Sequence, residues 1–133
     1  MKILILGAGQ VGYSAAYQLA RQEANEVTIV DTDASTLREL QDRLDIRTVV
    51  GHAAHPDVLL RAGAQHAEML IALTNSDEVN MIACQVAHTY FSTPTKIGRI
   101  RSAAYLKSID KKVQLFSDEA IPVDVFIAPE QLV

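Results

Sequence analysis

The chain has 133 residues, 49% of them hydrophobic, with one cysteine and a formal net charge of −4. That size and apolar content suit a single compact core, while the acidic balance offers no general grip on nucleic acid or anionic lipid. One thiol excludes an internal disulfide and any multi-cysteine metal site, and the opening apolar run ILIL is too short for a signal core or a membrane span, so the composition reads as a soluble intracellular domain.

Short runs of branched apolar residues alternate with longer stretches of helical period. KILIL (2–6) predicts a strand, followed by a helix from about 10 to 21 with Val11, Ala15 and Leu19 inward. EVTIV (26–30) predicts a second strand, and Leu37, Leu40 and Leu44 stripe the helix after it. RTVV (47–50) reads as a third strand. PDVLLRAG (56–63) carries proline where a helix starts and glycine where one stops. MLIAL (69–73) is the fourth strand, and Val79, Ile82, Ala83, Val86, Ala87 and Tyr90 mark the inward side of the next helix. KIGRI (96–100) and VDVFIA (123–128) complete six strands, with a short helix over 103–109 between them. Strands without clear alternation, separated by amphipathic helices, imply an α/β fold: a doubly wound, Rossmann-like parallel sheet in the order 3-2-1-4-5-6, helices on both faces. The final PEQLV (129–133) looks like the first turn of another helix, so residues 1–133 are expected to form one domain of a longer chain.

Residues 7–12 read GAGQVG, directly after a strand and opening a helix. In that context Gly7 permits a tight turn, Gly9 lets the backbone approach a pyrophosphate, and Gly12 lets the helix pack close to the sheet. The helix N-terminus then offers unpaired N–H groups to phosphate. Asp31 ends the second strand nineteen positions after Gly12, where a carboxylate accepts hydrogen bonds from both adenosine ribose hydroxyls and repels a 2′-phosphate. The competing reading is a domain without its ligand, in which Asp31 or Asp33 caps the next helix.

Gly51-His52-Ala53 either lies under an adenine or forms a plain turn. Thr74-Asn75 follows the fourth strand at the same edge and either touches the distal half of a ligand or, with Ser76, caps the next helix. Arg101 pairs with a phosphate or lies free on the surface. His52, His55 and Asp57 are conceivable metal ligands, but with no other ligand cluster they read as structural or solvated residues, and Cys84 and His88 read as packing residues. No Tyr-x-x-x-Lys pair, nucleophile elbow or P-loop is present. The nucleotide-binding framework uses nearly all the length, leaving nothing to shape a substrate pocket, which favours sensing over catalysis. The alternative is the cofactor half of an NAD-dependent oxidoreductase truncated before its catalytic domain.

MKILILGAGQVG, VTIVDTD, the G-x-A at 51–53 and above all ALTNSDEVNMIAC, with IGRIRSAAYL and IPVDVFIAPEQLV, resemble the regulatory nucleotide-binding domains of potassium transporters and channels. This is the RCK or KTN N-terminal domain. The resemblance implies a non-enzymatic cytoplasmic subunit at the inner face of the cell membrane, controlling a membrane-embedded potassium transporter of the Trk type. It also implies NAD(H) as ligand, with ATP or ADP at the same site, and a homo-oligomer of dimers built into a ring. By position Gly7, Gly9, Gln10, Val11 and Gly12 would surround phosphates, and Asp31 with Thr32 would hold the ribose. His52 and Ala53 would flank adenine, Thr74 and Asn75 would meet the distal half, and Arg101 phosphate or ribose. Gln10 stands where ATP-gated relatives often have arginine, which favours the Trk-like branch. His52 stands where the family often has Asp or Asn.

Overall fold

Unbroken runs of branched apolar residues build the central strands, because both faces of a parallel sheet are covered. In the computed structural model, which describes residues 1–107 and 109–127, these are β1 Lys2–Leu6, β2 Glu26–Asp31, β3 Arg47–Val50, β4 Met69–Ala72 and β5 Thr95–Arg99. They pair in parallel in the order β3-β2-β1-β4-β5, and a three-residue β6, Val125–Ile127, adds at the edge of β5. The doubly wound class expected from the sequence is what forms. β6 is shorter than the expected 123–128, and the expected helical turn at 129–133 lies outside the described residues.

The helices are α1 Gln10–Ala20, α2 Ala34–Arg43, α3 Pro56–Arg61, α4 Asp77–Phe91 and α5 Ala103–Leu106, with a 3₁₀ turn at Ala64–His66. Strand alternation divides the core. Ile3, Ile5, Ile29 and Ile71 face one side, with Leu37 and Leu40 of α2 and Ala16 of α1. Leu4, Leu6, Val30, Leu70 and Ala72 face the other, with Val58 and Leu59 of α3 and Ala83, Cys84 and Ala87 of α4. In α1, Val11, Ala15 and Leu19 are half-buried against the first cluster, and Gly12 and Ala16 form the fully buried centre. The helix sits so close to the loop before it that only small residues fit there.

α4 departs from expectation. Ile82 and Tyr90 point outward, 54% and 69% exposed, and the buried side is Asn80, Met81, Ala83, Cys84 and Ala87. Apolar residues surround this helix, so their spacing did not define one face; the buried polar Asn80 does. α5 ends at Leu106, short of the expected 109.

Lys96 of β5 is 3% exposed. Its Nζ donates to the Thr93 carbonyl at 2.9 Å and lies 3.5 Å from Asp124 Oδ2, which also accepts the Lys96 N–H at 2.6 Å. Such pairing is what makes a buried ammonium tolerable.

Candidate functional site

The parallel ladder runs past the carboxyl ends of the strands into the loops that follow. Gly7 N–H donates to the Val30 carbonyl, Leu73 N–H to the Leu6 carbonyl and Gly51 N–H to the Asp31 carbonyl, at 2.8, 2.8 and 2.9 Å. The loops after β1, β3 and β4 are thereby held at one edge beside the end of β2, where β1 and β4 diverge to opposite halves of the sheet. Between them lies a cleft of about 260 Å³, lined by Gly7, Gly9, Asp31, Thr32, His52, Ala53, Thr74 and Asn75 among others.

Each glycine has its own reason. Gly7 has φ +104°, and a Cβ there would stand 2.8 Å from the Leu73 carbonyl oxygen. A Cβ at Gly12 would overlap the Gly7 carbonyl oxygen, so this glycine lets α1 rest on the loop. At Gly9 a Cβ would meet nothing within 4 Å. The space before Gly9 is open, and as N-cap it provides no side-chain acceptor for the first-turn amides of α1.

Asp31 does two jobs within the chain. Oδ1 accepts the Ala8 N–H at 2.9 Å and Oδ2 the Asp33 N–H at 2.9 Å, so one carboxylate ties the glycine loop to the turn after β2. A carboxylate has about four acceptor positions, which leaves two for an incoming pair of hydroxyls. Capping of α2 falls to Asp33, which accepts from Ser35 and Thr36 N–H and from the Ser35 hydroxyl at 2.7 Å; these bonds, led by that from the Ser35 side chain, hold its pKa below the usual carboxylate value.

His52 Nδ1 accepts the Ala54 N–H at 3.1 Å, and its ring stacks on His55 with centroids 4.3 Å apart. Ala53 beside it is buried. On the β4 side, Ser76 caps α4 by accepting the Val79 N–H, which leaves Thr74 and Asn75 on the cleft wall. Of the expected residues, Gln10, Val11, Gly12 and Arg101 do not line the cleft. Gln10 opens into an adjoining depression between α1 and α2, Val11 packs on the core, and Gly12 is covered by Gly7. Arg101 stands at the β5–α5 corner, where its guanidinium donates to the Asn75 carbonyl and its N–H to Asp77 Oδ1. The same Asp77 carboxylate accepts the Ser102 N–H at 2.8 Å, and the Tyr105 hydroxyl donates to Glu78, a bond that raises the Tyr105 pKa.

Sequence reasoning missed Ala8 as the partner of Asp31, Leu73, Ser76 and Val79 as cleft walls, and Asp77 and Asn80 behind them. Asn80 had a signal: with Cys84 and Ala87 it makes an i, i+4, i+7 series on one helical face. A separate depression of about 280 Å³ opens at the amino ends of β1–β3, lined by Lys2, Glu26, Asp45 and Arg47 among others, away from the 7–12 glycine loop and from every α-helix N-terminus given above. Among the described residues there is no cluster able to hold a metal ion, and no helix is long and apolar enough to cross a membrane.

The pattern that defines the TrkA-N domain matches residues 3–121. The chain belongs to the TrkA-N domain family. This TrkA-N domain is 62% identical over its whole length to the Trk system potassium uptake protein TrkA of Halomonas elongata, and 60% identical to that of Vibrio alginolyticus. It spans 28% of the length of each. In fold it is similar to the TrkA-N domain of the inner membrane protein ybaL from Escherichia coli, with TM-score 0.75, 21% identity and 98% and 89% of the two chains covered. It is also similar to the GsuK channel bound to NAD, with TM-score 0.67, 20% identity, and 78% of this chain against 18% of that one covered.

Proposed function

We propose that the cleft binds an adenine dinucleotide, NAD or NADH, with ATP or ADP competing for the same place, and that the domain senses this ligand without transforming it. The observation that carries the reading is one cleft joining a bare N-terminal helix turn behind Gly9 to the Asp31 carboxylate, at the sheet edge where strand order reverses. Phosphates would meet the amides of the Gly9–Gly12 turn, the adenosine ribose Asp31 and Thr32, and the adenine the His52-Ala53 wall. The distal half would lie along Thr74-Asn75, with Arg101 reaching the ligand only by leaving Asn75. Absence of catalysis is supported by the cleft's chemistry. Its ionisable lining residues are Asp31 and His52, and each already accepts backbone N–H groups that fix its position.

High identity to the TrkA proteins supports the wider role: a cytoplasmic regulatory domain, docked at the inner membrane face on a membrane-embedded potassium transporter subunit of the Trk type. Dimers assembled into a ring would convert ligand-dependent domain geometry into a change in potassium transport. Calorimetric titration of the chain with NADH, NAD, ATP and ADP tests the ligand assignment. Saturable binding that Asp31→Ala and Gly9→Ala each weaken at least about tenfold is expected, the scale of losing a charge-assisted hydrogen bond. Binding that survives both changes places the ligand elsewhere.

A further inference from the structure

Asn80, in the first turns of α4, is 0% exposed. Its Oδ1 accepts the Thr74 N–H at 3.0 Å and the Thr74 hydroxyl at 2.7 Å. Its Nδ2 donates to the Thr74 carbonyl at 3.2 Å and the Arg99 carbonyl at 2.7 Å. One buried amide therefore holds the N–H, O–H and C=O of a single cleft residue and ties them to the end of β5. A buried amide persists only when its polar atoms are paired, so the rotamer of Asn80 and the path of the Thr74 backbone fix each other. The Thr74 hydroxyl closes the arrangement locally, donating within this network and accepting the Ser76 N–H at 3.3 Å.

The sheet order places this lip on the β4 side of the cleft, across β1 from Asp31 and His52 on the β2–β3 side. An adenosine monophosphate can be held by the β1–β3 loops alone. A dinucleotide has to continue across β1 and meet the lip. We infer that Asn80 is a positioning residue that gives the cleft its preference for dinucleotides over mononucleotides, by holding the Thr74–Asn75 backbone in place for the distal half of the ligand. The inference rests on the nucleotide reading of the cleft. Asn80 itself touches no ligand, because it is buried behind the lip.

The test is titration of the parent, Asn80→Asp and Asn80→Ala with NADH and with AMP. Aspartate keeps the size and the two acceptor bonds but turns a carboxylate oxygen toward the Thr74 and Arg99 carbonyls. In both variants the NADH dissociation constant should rise at least about tenfold while that of AMP stays within about twofold, the contrast between a lost lip and an intact adenosine side. A general loss of structure would weaken both ligands alike, and that result, or an unchanged NADH constant, overturns the inference. A parent that binds neither ligand removes the nucleotide reading and this inference together, whereas a parent that binds both sinks the inference alone if the variants show no contrast. Should neither variant fold, the ¹⁵N-labelled parent decides. The Asn80 side-chain amide protons should exchange slowly and shift on adding NADH but not AMP; a shift with AMP, or none with NADH, overturns it.

Discussion

A methyl group at Gly9, the N-cap of α1, and one at Gly12 in its first turn, three positions apart, meet opposite surroundings. At Gly12 it would run into the Gly7 carbonyl oxygen, part of the peptide unit whose N–H, that of Ala8, is held by Asp31 Oδ1. Neither side of that clash can rotate away, so α1 has to lift from the loop, and Gly12→Ala should cost about 3 kcal/mol or more. At Gly9 the methyl enters open space on an ordinary backbone with φ −71°. Gly9→Ala should leave stability within about 0.5 kcal/mol of the parent. Its expected effect is on binding, because the methyl occupies the place where a phosphate approaches the amides. Urea denaturation of the two variants, set beside their NADH titrations, checks this pairing: one change harms folding, the other binding. Cys84 gives a second prediction at the same scale. Burial pushes its thiol up to about 12, with Lys96 opposing the rise and Asp124 adding to it. Thiolate is thus scarce near pH 8, and labelling by a disulfide reagent should run roughly a thousandfold slower in the folded chain than in denaturant.

Among the elements, α2 and β5 show how ionised groups support the frame. Asp33 caps α2, and its carboxyl is held below the ordinary value by bonds that require it charged. The sign follows: the cap's support is complete above the unfolded pKa of about 3.9 and is lost as pH falls through the lower folded value. The stability difference between the parent and Asp33→Ala should therefore be constant from about pH 5 upward and shrink below about pH 4, as melting curves across that range would show. On β5, Asp124→Ala would leave the Lys96 ammonium buried without its counter-charge. That should destabilise by about 2 kcal/mol, below the usual figure for a buried pair because the Asp124 side chain is 30% exposed. Lys96→Met should be milder, since the carboxylate left behind can reach water. This ion pair also marks a limit of sequence reading. Lys96 appeared as one residue of the strand pattern KIGRI, and nothing in its neighbours shows that Asp124, twenty-eight positions on, meets it. Elements carried by local signals were readable: the branched runs, the Leu37–Leu40 stripe and the proline opening α3. The inward side of α4 was not, because Ile82 and Tyr90 mimic core residues and the hydrogen-bond partners of Asn80 lie in the loop after β4 and at the end of β5. The same division holds in the cleft. The glycine loop and Asp31 were legible from spacing, while the bond from Ala8 N–H to Asp31 and the capture of Arg101 by Asn75 depend on contacts between loops.

Across the whole molecule, the cleft is assembled from the ends of β1 to β4, whose loops are each hydrogen-bonded to a neighbouring strand or to α4. A ligand that bridges these loops joins the two halves of the sheet, so its binding energy appears as global stability and not as the ordering of one loop. At a free NADH concentration of about a hundred times its dissociation constant, the chain should gain about 2.7 kcal/mol in denaturant unfolding with an unchanged slope. Asp31→Ala should behave differently from a simple binding variant. Its carboxylate already pairs the Ala8 and Asp33 amides, so the free protein should lose about 1–3 kcal/mol as those donors are left without their acceptor. NADH should then restore little of that loss, since the ribose would have no carboxylate to meet. Hydrogen exchange locates the effect. In the parent, added NADH should protect amides at 7–12, 51–53 and 73–76 together, while those around the depression at 45–47 and 62–63, at the opposite edge of the sheet, should not change. Protection at that opposite edge, or at only one of the three loops, would mean that the ligand does not span the strand-order reversal and that the two halves of the sheet are not coupled through it.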